Sequence, residues 1–330
     1  MPRLSIISPC YNSASFIGRT IESVQAQTFT DWEHVIVDDG STDASAEVAA
    51  SYAARDRRIR AVRQPNGHVC NARNNGFARS SAASEYLLFL DADDMLEPHA
   101  LETMLEYLDS HRQVGLAYCS LRPVDHLDQD LHVPEFGESW HVRYAPTRDG
   151  VRPLAADQPE TPLSSLIASF RALPSTAFIR RSTFAATRGW DEAFRHGAED
   201  VDLAVQLALQ APVHFVPERL VRYRRHDSNF SNSDFAHGIE QLDRKWWHHR
   251  HLDHARAQSV RDALRFARRV RCLRMLRGGH NVAHPASAAI GTGLMQLCSP
   301  VMGQPLVSLA LLASDSALVP RQEPLHARLH

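Results

Sequence analysis

The chain has 330 residues, 44% of them hydrophobic and 22% charged, with a formal net charge of −2 at pH 7. These values suit one large globular domain, with or without a smaller appendage, and exclude a strongly basic nucleic-acid-binding protein. The five cysteines (Cys10, Cys70, Cys119, Cys272 and Cys298) are odd in number and form no CxxC pair. That argues against a disulfide framework or a zinc site and favours a reducing cytoplasm.

Leu4 to Ser8 reads as a buried strand stopped by Pro9, with no basic-then-apolar segment before it, so no secretory leader is expected. Ser13 to Gln27 reads as an amphipathic helix, and His34 to Val37 as a second strand cut off by Asp38-Asp39-Gly40. Thr42 or Asp43 is placed to cap the helix that follows. Ile59 to Val62, Tyr86 to Leu90 and Val114 to Ser120 read as further strands, and Asn71 to Ser80 and His99 to Ser110 as helices. The alternation predicts βαβ units and an α/β fold whose mainly parallel central sheet is flanked by helices. In such sheets ligands bind beyond the carboxyl ends of the strands. Tyr11-Asn12, Asp38-Asp39 and Asp91 to Asp94 fall at those ends.

Residues 122 to 160 are rich in Pro, Asp and His and are expected to form an insertion or lid over the site. Order returns over 163 to 226, with a helix, a strand at Ala177 to Ile179, an acidic helix from Glu199 and a strand at Val213 to Val216. The reading is one domain over 1–230, divided into a nucleotide-binding half (1–120) and an acceptor half (121–230). Residues 231–330 form a helical C-terminal extension. Within it, residues 244 to 277 carry eleven Arg or Lys and two Asp, and Lys245 is the only lysine of the chain. Residues 285 to 314 carry no charge. A bilayer needs roughly 20 apolar residues, but Pro300 and Pro305 interrupt this stretch. Two readings stay open: helices packed on the main domain or on a second copy in a homodimer, and a peripheral contact with an anionic membrane surface.

Asp91 and Asp93 follow an apolar strand, and a turn must come next for their carboxylates to converge. Hard oxygen ligands there suit Mg²⁺ or Mn²⁺ bridging a diphosphate; the plain alternative is an acidic turn with Asp94 capping the next helix. Asp38 and Asp39 can accept hydrogen bonds from the N–H edge of a nucleobase, Tyr11 can stack on the base, and Asn12 can shape the loop. Arg73 near a helix start can pair with phosphate, or lie on the surface. Glu199, Asp200 and Asp202 begin a helix, where acids are favoured by the dipole; one of them can instead be a general base toward an acceptor hydroxyl. Arg and His of Tyr223 to His226 can close over a diphosphate and metal.

In their order and spacing, these segments resemble family 2 glycosyltransferases of the GT-A, nucleotide-diphospho-sugar transferase fold. The matching pieces are Ser5 to Asn12, Val35 to Asp43, Asn66-Gly67 with Ala72-Arg73-Asn74, Leu88 to Asp94, Gly189 to Glu192, Glu199-Asp200, and Tyr223 to His226. The match runs from about residue 3 to 230; Cys10 departs from it, where Thr or Ser is common. The resemblance implies that Pro9, Tyr11 and Asp39 hold the nucleoside, with Asp38 beside them. Arg73 would contact the base or phosphate region, Asp91 the ribose or sugar, and Asp93 the metal, Mn²⁺ or Mg²⁺. Asp200 would be the base, Glu199 would steer the acceptor, and Trp190, Asp191 and Glu192 would line the acceptor side. His226 would touch the metal or diphosphate. It further implies inversion at the anomeric carbon, a UDP-sugar donor by default, and a saccharide or lipid-linked acceptor. A bacterial surface-polysaccharide or glycolipid pathway at the inner face of the cytoplasmic membrane would follow. A sugar-nucleotide pyrophosphorylase would need a Gly-rich basic loop after the first strand, and a dinucleotide oxidoreductase a GxGxxG; the chain has Pro9-Cys-Tyr-Asn-Ser-Ala14 there. A non-catalytic protein of this fold would be expected to lack Asp93 or Asp200.

Overall fold

In a computed structural model, the structure describes residues 1–131, 143–147, 150–155, 157–169, 172–227, 229, 235–249 and 252–278. By contact these divide into residues 1–145 with 153–267, and residues 146–152 with 268–330. Of the expected lid over 122–160, residues 132–142, 148–149 and 156 lie outside the described residues, as does all of the charge-free stretch 285–314.

The first unit is built around an eight-stranded sheet. Strand β1 (Leu4–Cys10) pairs in parallel with β2 (Trp32–Asp38) on one side and β4 (Tyr86–Phe89) on the other, and β2 pairs in parallel with β3 (Ile59–Arg63). Helices α1 (Ile17–Gln25), α2 (Ser45–Ala53) and α3 (Val69–Arg79) connect them. Beyond β4 comes the short β5 (Met95–Leu96), then α4 (Ala100–Ser110) and β6 (Leu116–Val124). After the two-stranded hairpin of β7 (Tyr144–Thr147) and β8 (Gly150–Pro153), the chain forms α5 (Leu163–Ser169), β9 (Ala177–Arg180), α6 (Arg181–Ala185), α7 (Glu199–Ala208) and β10 (Val213–Arg224). The order is β3-β2-β1-β4-β9-β6-β10-β5, with β9 antiparallel to both β4 and β6. The sheet is therefore mainly parallel, and β9 and β5 are its two reversed strands. Helices α8 (Phe235–Trp247) and α9 (His254–Gly278) follow. In the second unit, the described residues are the hairpin tip and the end of α9.

The apolar runs of β1 and β4 follow from burial on both faces. Leu4, Ile6, Tyr86 and Leu88 pack with α1 and α4, whereas Ile7, Leu87 and Phe89 pack with α3, α6 and α7. Alternate side chains on a strand point to opposite faces, so each strand feeds two cores. A Cβ on Gly76 would sit 2.4 Å from Ile7 Cγ2, so only glycine lets α3 approach β1 this closely. Buried polar groups on β1 are satisfied across strands: Ser8 Oγ lies 2.8 Å from His34 Nε2, and Ser5 Oγ donates to Glu33.

Candidate active site

Because β1, β2 and β4 run parallel, their carboxyl ends meet along one edge of the sheet. There they open into a cleft of about 880 Å³, which the N-terminus of α7 and the end of β10 also line. It brings together most of the residues singled out in the sequence: Pro9, Tyr11, Asn12, Asp39, Arg73, Asp91, Asp93, Glu199, Asp200 and His226. Asp38, Trp190 and Asp191 are not on its wall. Asp38 is buried behind it with Arg63 Nε 3.3 Å away. Trp190 is buried beneath the Arg73 guanidinium, whose carbon lies 4.3 Å from its ring centre. Asp191 pairs with Lys245 at 2.7 Å, an attraction that, against the opposing effect of burial, leaves its carboxyl below the usual value.

At the β1 and β2 ends the loops hold each other. Asn12 sits in the left-handed region (φ 49), its Oδ1 accepts from Thr42 N (2.9 Å), and its own N–H donates to Ser41 Oγ (3.0 Å). Asp43 accepts from Ala14 N and Ser45 N, so it stitches the two loops at the start of α2. Asp39 is buried and accepts from Gly67 N (2.8 Å) and Gln64 Nε2 (2.7 Å), while Tyr11 stays half exposed on the rim. Burial pushes the Cys10 thiol up to about 12, so it stays protonated against the cleft.

The turn needed after β4 is present: Asp94 N donates to Asp91 O (3.2 Å). Ser175 clamps it, donating to Asp94 Oδ2 (2.5 Å) and accepting from Asp91 N (3.1 Å). Asp94 is therefore not a helix cap; its other oxygen accepts from Arg224 N (3.0 Å), and α4 starts without a side-chain cap. Burial, then the negative charges of Asp93 and Asp91, push its carboxyl well up. Arg224 is fully buried; it donates through Nε to Asp93 O (2.8 Å) and pairs with Asp128. Asp93 Oδ2 lies 3.0 Å from His226 Nε2 and accepts from Asn229 Nδ2 at 3.3 Å. The His226 ring stacks on Phe16 at 4.4 Å. Among the described residues no group of three or more His, Cys, Asp or Glu forms a metal cage. A carboxylate beside an imidazole still fits a hard divalent ion that takes its other ligands from a diphosphate and water.

Arg73 is buried and its guanidinium is divided between two carboxylates, Asp91 (2.7 Å) and Glu199 (3.3 Å). It thus ties the β4 loop to α7, and its two terminal nitrogens are engaged by protein acids, while the buried Nε has no hydrogen-bond partner among the described residues. Burial raises the Asp91 carboxyl, with Arg73 opposing. Asp200, next to Glu199, reaches the cleft; burial, then the Glu199 charge, push it well above its ordinary value. Asp202, two residues on, faces away from the cleft and is fully buried. Sequence reasoning missed Phe16, His68, Pro174 and Asn229, all on the cleft wall, whereas of the Tyr223 to His226 motif it did find, Tyr223, Arg225 and His226 line the cleft. Phe16 opens α1, and Asn229 lies past the last motif; neither stands out in spacing or composition.

Residues 5–162 match the family model described as Glycosyl transferase family 2. Over 119 residues the chain is 38% identical to the uncharacterized glycosyltransferase EpsJ of Bacillus subtilis, covering 36% of this chain and 34% of EpsJ. Over 139 residues it is 36% identical to the putative teichuronic acid biosynthesis glycosyltransferase TuaG of the same organism, covering 41% of this chain and 54% of TuaG. The chain therefore spans about a third of one relative and about half of the other. The crystal structure of S. aureus TarS 1–349 in complex with UDP-GlcNAc has the same fold, with a TM-score of 0.61 over 89% of this chain and 79% of that chain, at 19% identity.

Proposed function

We propose that this chain, whose residues 5–162 form a family 2 glycosyltransferase domain on a GT-A-type fold, moves a sugar from a nucleotide-diphosphate donor to an acceptor hydroxyl. The observation that carries the reading is that one cleft gathers buried Asp39, the Asp93–His226 pair and Asp200. Fold alone would not license an activity; a full set of roles in one cleft does.

In this reading Tyr11 and Asp39 take the nucleoside, and Asp91 the ribose or sugar side. Asp93 and His226 would hold Mn²⁺ or Mg²⁺, which neutralises charge on a departing diphosphate. Asp200 accepts the acceptor's proton as its oxygen attacks the anomeric carbon in a single, inverting displacement through an oxocarbenium-like state. A carboxyl raised by burial serves this role, because it is the stronger base once ionised. Glu199, held by Arg73, orients the acceptor. UDP is the donor nucleotide, in keeping with the UDP-GlcNAc complex of TarS, and the acceptor is a saccharide or lipid-linked chain in bacterial polysaccharide assembly, in keeping with TuaG. The work is placed at the inner face of the cytoplasmic membrane, with the tail as a peripheral contact; no described helix is long and apolar enough to cross a membrane.

Calorimetric titration with UDP, GDP and dTDP, each with and without Mn²⁺, tests the donor site. Tight, metal-dependent binding of one nucleotide is expected, and binding of none sinks the reading. Deletion of residues 285 to 330 is expected to release membrane-bound protein; unchanged fractionation removes the membrane part.

A further inference from the structure

Helix α8 lies beyond residues 5–162, and nothing in the reaction as described requires it. One face of it nevertheless grips the segment that carries the carboxylates of the acceptor side. Gly238 packs on the turn before α7: a Cβ there would sit 2.3 Å from Gly197 O, so any other residue would force the two backbones apart. One turn on, Gln241 Nε2 donates to Ala193 O (3.0 Å). Lys245 Nζ then lies 2.7 Å from Asp191 and 2.8 Å from Asp202, and Trp246 Nε1 donates to Asp202 Oδ1 (2.7 Å). Positions 238, 241, 245 and 246 fall on one face at helical spacing. Asp202 is fully buried, and Gln206 Nε2 is its third donor (2.9 Å). It lies on the first turn of α7, two residues from Asp200. Lys245 is the only lysine among the chain's 36 Lys and Arg residues. Here a compact ammonium, with three donors on one nitrogen, fits between two carboxylates in a way a planar guanidinium does not.

We infer that Lys245 is a positioning residue for transfer: by bridging Asp191 and Asp202 it fixes the start of α7, and with it the direction in which Asp200 meets the acceptor. The inference rests on the proposed role of Asp200. The donor side has its own holds in the β1, β2 and β4 loops and meets α7 through Arg73, which is not among the partners of Lys245, so loss of the latch spares nucleotide binding and costs turnover.

The test compares wild type, Lys245→Met, and the Lys245→Met/Asp202→Asn double variant in the full chain. Four readouts are used: amide hydrogen exchange over residues 191–202, the melting midpoint, calorimetric binding of UDP with Mn²⁺, and release of UDP from UDP-GlcNAc as the sugar passes to water. Lys245→Met is expected to lose protection over 191–202 without losing it over β1 and β4. It should bind UDP as wild type does, and release UDP on the order of ten- to a hundredfold more slowly. The double variant removes the stranded buried charge, so its melting midpoint should recover while turnover stays low. Unchanged protection over 191–202, or turnover that recovers together with the midpoint, overturns the inference. If wild type neither binds UDP nor releases it, the glycosyl-transfer reading fails on its own, and the exchange comparison alone still decides whether Lys245 holds α7.

Discussion

The donor and acceptor sides of the cleft are held by different means. At the ends of β1 and β2 the holds are hydrogen bonds from backbone N–H groups to side-chain oxygens: Thr42 N to Asn12, Asn12 N to Ser41, Gly67 N to Asp39. The start of α7 is held by charge across long stretches of chain, with Arg73 on Glu199 and Lys245 on Asp202. Backbone-anchored loops tolerate the loss of any one contact. A buried ion pair does not, because removing one partner strands the other in a low-dielectric interior. The acceptor side is thus the more vulnerable half.

The largest expected effect is on Asp200 itself. Asp200→Asn should lower turnover by about 10²–10⁴-fold while UDP binding, measured by calorimetry, stays at wild-type strength; wild-type turnover would hand the base role to Glu199. Its pH behaviour has a definite sign. The folded carboxyl is raised above 3.8, so the stability it contributes is present below 3.8 and lost as pH rises through the folded value. Activity needs the ionised form, so kcat/KM should rise with pH on a limb above the ordinary carboxylate range. At neutral pH Asp200→Asn should unfold at higher denaturant than wild type, since a neutral amide avoids burying the charge.

Arg73→Met comes next. It leaves Asp91 and Glu199 without their shared cation, and should cost about 3–5 kcal/mol in denaturant unfolding. A cost near that of an exposed pair would mean the two halves are not joined there. His34 gives a smaller, graded effect. Burial lowers its pKa from 6.5 to about 3, so it stays neutral beside Ser8 while the unfolded chain takes up a proton. Its contribution is complete above 6.5 and is lost as pH falls toward 3, by about 1.4 kcal/mol per pH unit. His34→Gln should flatten that part of the stability–pH curve. The smallest effect is expected on the outer face of α8. Arg244 pairs with Glu240 at 2.8 Å, but both are well exposed, and Arg244→Ala should change stability by less than about 0.5 kcal/mol. The contrast with Lys245, one residue along, separates the gripping face from the wet one.

The strands and the helices between them were legible up to α4 because their signals are local: apolar runs buried on both faces, and turn residues at their ends. The same locality exposed Asp39, Asp91 and Asp93. The 12-residue β10 (Val213–Arg224) was read as far as Val216, since Pro217, Glu218 and Arg219 break the apolar pattern where the ladder is irregular. The two-residue β5 and the reversal of β9 left no periodic trace. Nor did the partners of the acidic residues: a spacing pattern shows that Asp94, Asp191 and Asp202 are there, not which way they face.

By itself the sequence determined the alternating α/β order, the carboxyl-edge location of the site and the kinds of group available to it, because these depend on period, burial and turn chemistry within a few residues. Only the tertiary structure decided which acid meets the cleft and which is a strut. Asp200 is turned to the cavity, whereas Asp202 is locked away from it by Lys245 and Trp246, and Asp94, at the cleft wall, is bound to Ser175 and Arg224. Those partners lie up to 130 residues away along the chain. A carboxylate's role depends on the charges and donors that surround it in space, and folding alone brings them there.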